Sequence, residues 1–299
     1  MGGDDVMAAA VLPEEKPFDR APDVRGSVRV VLNMPAPGAG SGRRRVEAPG
    51  PGRPLGVITA SRVEAACWRA GRTPHPALTF ASGSSAMRAR AGVQQVLERG
   101  AAGLVSFGLA LGLAPALRPG DLLVASGVVL PSGVTVATDG IWRRELLDRL
   151  APLPCKVHVA RVVGGERLPH SVAEKRRAFM ATAAAAIDTE SCAVAEAAGC
   201  AGLPFLAVRA IVDPAEEARP AAAIASLRAD GGTRSLVLAA HLVARPGEIA
   251  AMWRFAHSGR LALATLREVV RLMPCPPEAA PAAMLVASAS RLGGAVSGA

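Results

Sequence analysis

From Leu55 onward short apolar runs alternate with longer segments whose apolar residues recur at helical spacing, as expected of strands interleaved with amphipathic helices. LGVITA (55–60) reads as a first strand, followed by a helix through Val63, Ala66 and Trp68 that stops near Gly71. ALTFAS (77–82) is a second strand, and residues 86–99 carry Met87, Ala91 and Leu97 on one helical face. GLVSFG (103–108) and DLLVASGVVL (121–130) read as third and fourth strands. The alternation continues with a helix over 141–150, a strand over 156–163, a helix over 171–182, a strand over 184–188, a helix over 189–199 and a strand over 204–212. Two or three helices over 234–272 close the series. The pattern predicts an α/β fold, a single three-layer αβα domain with a mixed central sheet and C-terminal helices.

Half of residues 35–54 are Gly or Pro, with no apolar period, so residues 1–54 read as a flexible extension, 55–275 as the domain and 276–299 as a flexible tail. Arg43, Arg44 and Arg45 lie in the extension and read as a solvated basic cluster. The first twenty residues place acids ahead of a short apolar stretch, the wrong order for a signal peptide. The longest uncharged run, 100–117, is interrupted by Gly103, Gly108, Gly112 and Pro115, so no membrane span is expected.

Composition narrows the function classes. Lys and Arg number 34 against 25 Asp and Glu, a net charge of +9, which favours acidic partners. Aromatics are 3% of the chain and Tyr is absent; with few platforms for stacking bases, no nucleic-acid partner is expected. Cys67, Cys155, Cys192, Cys200 and Cys275 form no CxxC pair, so a reduced, cytosolic protein without a thiolate metal site is expected. The five histidines do not cluster, and no metal ligand set is expected.

In open sheets ligands gather at the carboxyl ends of strands, which directs attention to four segments. Ser82-Gly83-Ser84-Ser85 lies between a strand and a helix, where backbone N–H groups and hydroxyls suit an anion; a Ser cap with a turn glycine explains it equally. Ser106, Gly108 and Leu109 open a stretch in which glycines let a ligand approach the backbone, or simply allow tight packing. AIDTES places Asp188 and Glu190 where an apolar run gives way to a helix. Asp188 suits a cap, and Glu190 suits a diol. Asp213 ends an apolar strand and precedes Pro214, fitting either a general acid or an Asp-Pro turn.

Taken in order, SFGLALGLAPALRPGDLLVAS and AIDTESCAVAEAAGCAGLPFLAVRAIVDPA resemble the purine and uridine phosphorylase family, which includes the methylthioadenosine/S-adenosylhomocysteine nucleosidases. The resemblance spans roughly residues 55 to 240. DTES, LRPGDLLVAS, VRAIVDPAEEARP and RPGEIAAMWRFA are most similar to hopanoid-associated phosphorylases. The resemblance implies a nucleoside phosphorylase-like fold and removal of adenine from adenosylhopane, with inorganic phosphate as co-substrate and no other cofactor. It implies that Glu190 and Thr189 hold the ribose, that Asp213 protonates the base, and that Ser82, Gly83 and Ser84 hold the phosphate. Ser106, Gly108 and Leu109 would line the base and anomeric carbon. Thr189, Val212 and Leu111 stand where the family carries Met, Ser and Gly. A homodimer is also implied.

The hydrolytic members carry a Glu after the first strand that activates water. The position is matched here to Val63, with Glu64 about 100° further round the helix, so phosphate is the expected nucleophile. The alternatives are a hydrolytic purine nucleosidase and a non-catalytic purine- or lipid-binding relative. The C-terminal helices combine Trp253, Phe255 and Leu261 with Arg254, Arg260, Arg267 and Arg271. They read as helices packed on the domain, or as a basic amphipathic surface reaching a lipid-linked substrate at the inner membrane face.

Overall fold

The computed structural model describes residues 52–71, 73, 75–83, 85–228 and 232–277. The expected extension lies outside them as far as residue 51, as do Ser84 and the tail from 278. The elements run β1 (Leu55–Thr59), α1 (Arg62–Ala70), β2 (Ala77–Ala81), α2 (Ala86–Glu98), β3 (Gly103–Gly112), β4 (Leu122–Val129), β5 (Thr135–Ala137), α3 (Gly140–Leu150), β6 (Val157–Gly164), α4 (Val172–Thr182), β7 (Ala186–Asp188), α5 (Ser191–Ala201), β8 (Phe205–Asp213), α6 (Ala221–Ser226), α7 (Ser235–Ala244), a 3-10 turn (Pro246–Glu248) and α8 (Ile249–Leu272). The mixed α/β fold with C-terminal helices is as expected. Short β5 and α6 carry too little periodic signal to be seen in the sequence.

β1 lies between β2 and β3, all parallel. β8 runs parallel to β3 and antiparallel to β4. β4 continues into β6, β6 into β7, and β7 returns antiparallel to β3. Five strands therefore close into a ring, with β1 and β2 as a wing. One apolar layer joins Leu55, Val57, Phe107 and Val208 to Trp68, Trp142 and the α8 residues Leu266, Val269 and Val270. On the other face Ile58, Leu104 and Ile211 pack with Val93 and Val96 of α2 and Val194 of α5.

The Gly-rich stretch is strand, not loop: β3 runs through Gly108 to Gly112. One edge of it is shared between two neighbours. β1 pairs as far as Ser106, opposite Ile58, and β7 joins only at Leu111, opposite Ile187. Between them residues 107–110 have no strand partner on that edge. Their backbone groups must be satisfied otherwise, and the candidate site is built on this gap.

Candidate active site

The Leu109 N–H in the gap donates to Glu64 Oε1, 2.8 Å away. Glu64 reaches it because Ser61 caps α1 in a capping box: the Ser61 hydroxyl accepts from the Glu64 N–H, and Glu64 Oε2 accepts from the Ser61 N–H at 2.6 Å. This motif turns the third-position carboxylate back over the helix start, here toward the strand edge. Glu64 is buried, whereas Val63 is 52% exposed. The assignment of this position to Val63 is thereby corrected: the helix presents Glu64 to the site, and the sequence argument against an acid there falls. The S-x-x-E spacing at 61–64 was the signal that could have found it. Burial raises the Glu64 pKa, opposed by the Leu109 N–H and by the Arg209 charge.

Gly108 adopts φ +156°, and a Cβ there would stand 2.7 Å from Glu64 Oε1 and 3.0 Å from Arg209 Nη1. Only glycine allows this approach. Arg209 is fully buried in β8 and gathers the acids around it. Its Nε lies 2.7 Å from Asp188 Oδ2 and its Nη2 3.8 Å from Glu190 Oε2. Nη2 also donates to the hydroxyls of Ser106 and Ser191. Nη1 has no hydrogen-bond partner among the described residues.

Asp188 serves two purposes at once. Its Oδ1 accepts from the N–H groups of Glu190 (2.9 Å) and Ser191 (2.8 Å), as a cap of α5, while Oδ2 faces Arg209. The antiparallel return of β7 carries Thr189 and Glu190 back along β3 toward Gly108. The Thr189 hydroxyl donates to Glu190 Oε1. Burial raises the Glu190 pKa; Arg209 opposes this, and Asp188 and Glu64 add to it. Three carboxylates thus share one guanidinium.

Asp213 ends β8 next to Leu111 of β3. The register slips by one residue at Val212, between the pairs Ala110–Ile211 and Leu111–Asp213. Buried Lys175 of α4 lies with Nζ 2.8 Å from Asp213 Oδ2. Burial raises the Asp213 pKa, against the pull of Lys175 and Arg219; Glu217 adds a smaller push upward. At the end of β2, the N–H of buried Ser82 donates to Thr59 O at 2.8 Å, and its hydroxyl contacts Gly83 O at 2.7 Å and Thr59 O at 3.1 Å. Gly83 takes φ +63°, turning the chain toward Ser85, which caps α2.

The structure therefore brings Ser106, Gly108, Leu109, Thr189 and Glu190 together. Ser106 holds Arg209 from beneath, and Leu109 holds Glu64. Ser82 and Gly83 lie at the adjoining ends of β1 and β2, and Asp213 at the end of β8. Ser84 lies outside the described residues. Sequence reasoning set Glu64 aside on helix phase and did not single out Arg209, Lys175 or Arg219. An arginine inside an otherwise apolar strand was the available sign for Arg209. Nothing local marks Lys175, whose partner lies on another element.

A ring-closed mixed sheet with buried acids at its strand ends is the fold of nucleoside phosphorylases and nucleosidases. The Phosphorylase superfamily model matches residues 75–244, more than half of the chain, which therefore belongs to that superfamily. No curated protein matches the sequence. Among solved structures, methylthioadenosine/S-adenosylhomocysteine nucleosidase from Neisseria meningitidis, in complex with methylthio-immucillin-A, matches with a TM-score of 0.56 at 20% identity, over 74% of this chain and 98% of that one. Futalosine hydrolase of Helicobacter pylori matches with a TM-score of 0.54 at 15% identity, over 73% and 97%. The Campylobacter jejuni nucleosidase gives 0.51 at 17%, over 73% and 100%. At these identities the likeness is one of fold.

Proposed function

We propose that this chain cleaves the N-glycosidic bond of an adenosyl compound, releasing adenine, with water as nucleophile. The observation that carries the reading is the division of charge across the site. Heterolysis of the C1′–N9 bond leaves positive charge on the sugar and negative charge on the base. The Glu64, Asp188 and Glu190 side has three carboxylates to one cation, which favours an oxocarbenium-like sugar. The Asp213 side has Lys175 and Arg219 beside one buried carboxylate, with Glu217 exposed to solvent, which favours a departing anion. Fixed charges arranged this way act on the transition state more than on the substrate.

In this reading Glu190 accepts the ribose hydroxyls, Thr189 steadies it, and Asp213 donates a proton to N7 as the bond electrons move into the purine. Glu64 takes a proton from water, whose oxygen bonds to C1′. Its raised pKa makes it a stronger base than an ordinary carboxylate. A phosphate dianion would instead face three carboxylates. The second reading, phosphorolysis, is favoured by the Ser82–Gly83 turn at the head of α2, where the helix dipole attracts an anion.

The lipid-linked substrate, adenosylhopane by resemblance, is part of the proposal. No described helix is long and apolar enough to cross a membrane. None of the ten residues of α7 is buried, and Leu236, Val243 and Trp253 are 87%, 84% and 67% exposed. Exposed Arg234, Arg245, Arg254 and Arg260 flank this face, with Glu248 the single acid between residues 234 and 260. We assign the face to an anionic lipid surface.

The test measures adenine release from adenosine and adenosylhopane, with and without phosphate. Release without phosphate supports hydrolysis, and a strict phosphate requirement moves the assignment to phosphorolysis. No release from either substrate overturns the enzymatic reading and favours a non-catalytic binder. Flotation with phosphatidylglycerol vesicles tests the lipid face; a dimer that buries α7 and ignores vesicles would remove that part.

A further inference from the structure

Lys175 is fully buried, and burying an ammonium is costly unless it is surrounded by acceptors. Three surround it here: Asp213 Oδ2 at 2.8 Å, Pro214 O at 2.6 Å and Glu217 O at 2.7 Å. The two carbonyls belong to the turn that follows Asp213, so one side chain ties the carboxylate and its turn together. The lysine is itself held in place. It lies in the first turn of α4, which Ser171 and Glu174 fix by a second capping box. Ser171 O also accepts from the Lys175 N–H at 3.1 Å.

We propose that Lys175 is a positioning residue for the Asp213 acid, holding Oδ2 so that Oδ1 faces the base and stabilising the carboxylate left when the proton departs. The inference rests on the reading that Asp213 protonates the leaving purine. As the O–H bond breaks, its proton goes to N7 and its electrons stay on Asp213, and the negative charge so formed lies beside the ammonium. The interaction therefore strengthens as the reaction proceeds. The other charged groups facing Asp213 are Arg219 and Glu217, both from the following turn.

Removing the ammonium has a distinctive sign. Asp213 must be protonated to act, so its ionisation sets the high-pH limb of kcat/KM. Lys175 favours the ionised form, and Lys175→Met should move that limb to higher pH. The same variant should lower kcat for adenosine by about 10-fold or more, with little change in KM, because a general acid contributes 10²–10⁴-fold. Lys175→Arg, which keeps the charge, should restore much of kcat and return the limb.

p-Nitrophenyl riboside, whose leaving group departs without a proton, separates positioning from scaffolding. Lys175→Met should lose clearly less on it than on adenosine, because the part of the lysine's effect that runs through the Asp213 proton is absent there. Equal losses on both substrates, or an unmoved high-pH limb, would overturn the proposal. If Lys175→Met does not fold, Lys175→Gln and Lys175→Arg carry the same comparison. Asp213→Asn run alongside tells the two ideas apart: unchanged adenosine cleavage in that variant removes the acid itself, whereas a large loss there with no limb shift in Lys175→Met removes only the role of the lysine.

Discussion

The two ends of the site handle buried charge in opposite ways. Around Arg209, Glu64, Asp188 and Glu190 compete for one cation; around Asp213, Lys175 and Arg219 compete for one buried acid. Burial raises carboxylate pKa values at both ends; at the first, like-charged neighbours of Glu190 add to the rise and leave groups ready to take protons. The second surrounds an acid with cations that favour its giving a proton up. In low dielectric such imbalances are expensive to maintain, and keeping both in one domain is difficult to explain by stability alone. On the proposed reading, the two ends match the dipole of a breaking glycosidic bond.

The largest expected effect comes from removing the acid. Asp213→Asn should keep the fold and lose roughly 10³-fold in kcat/KM, measured as adenine release; near-parental turnover would dissolve the contrast between the two ends. Next comes the acid-rich end, where Glu64→Gln should cost on the order of 10²-fold in phosphate-free buffer. If phosphate is the true nucleophile, that variant changes little when phosphate is saturating, so the same substitution sharpens the choice of reaction. The low-pH limb of kcat/KM should also lie above the ordinary carboxylate range. The Glu64 pKa is raised by burial, so the base is lost as pH falls through that raised value; a limb near pH 4 would contradict it.

Glu190→Gln offers a smaller effect of two signs. Loss of one acceptor for the ribose diol should reduce kcat/KM by roughly 10- to 100-fold, mostly in KM. Stability should move the other way. Because the folded pKa of Glu190 is raised, the folded state binds more protons than the unfolded state, and stability falls as pH rises through that value. Gln removes the penalty and leaves Arg209 paired with Asp188, so Tm should rise by a few degrees, at about 2–4 °C per kcal/mol, more at pH 8 than at pH 5. A fall in Tm at both would show that Glu190 is a net structural anchor. Val63→Ala, on the exposed face of α1, should leave turnover within about 2-fold, since surface changes typically alter stability by under 0.5 kcal/mol.

Much of this architecture was legible in the chain. The strand–helix alternation from Leu55 to Val212, the acids at 188, 190 and 213 and the Gly-rich stretch at 103–112 are all local patterns. What escaped were consequences of pairing. That Gly108 lies within a strand, and that β3 changes partner between Ser106 and Leu111, depends on where β1 ends and β7 arrives. The choice between Val63 and Glu64 turned on one residue of helix phase, which the Ser61 cap settles. Lys175 carries no local mark, because a lysine after a capping box looks like any solvated helix position until β8 is laid against it.

Ring closure also determines when the site comes into being. β3 must find Leu111's partners, Ile187 on one edge and Asp213 on the other, far along the chain. Such contacts close large loops and form late. During synthesis the wing of β1, β2 and β3 emerges first, holding Glu64 and Gly108 but neither Glu190 nor Asp213. A nascent chain halted before β8 would therefore hold Glu64, Asp188 and Glu190 without Arg209 or Asp213, so the proposed site becomes complete only when the last strand of the ring is made.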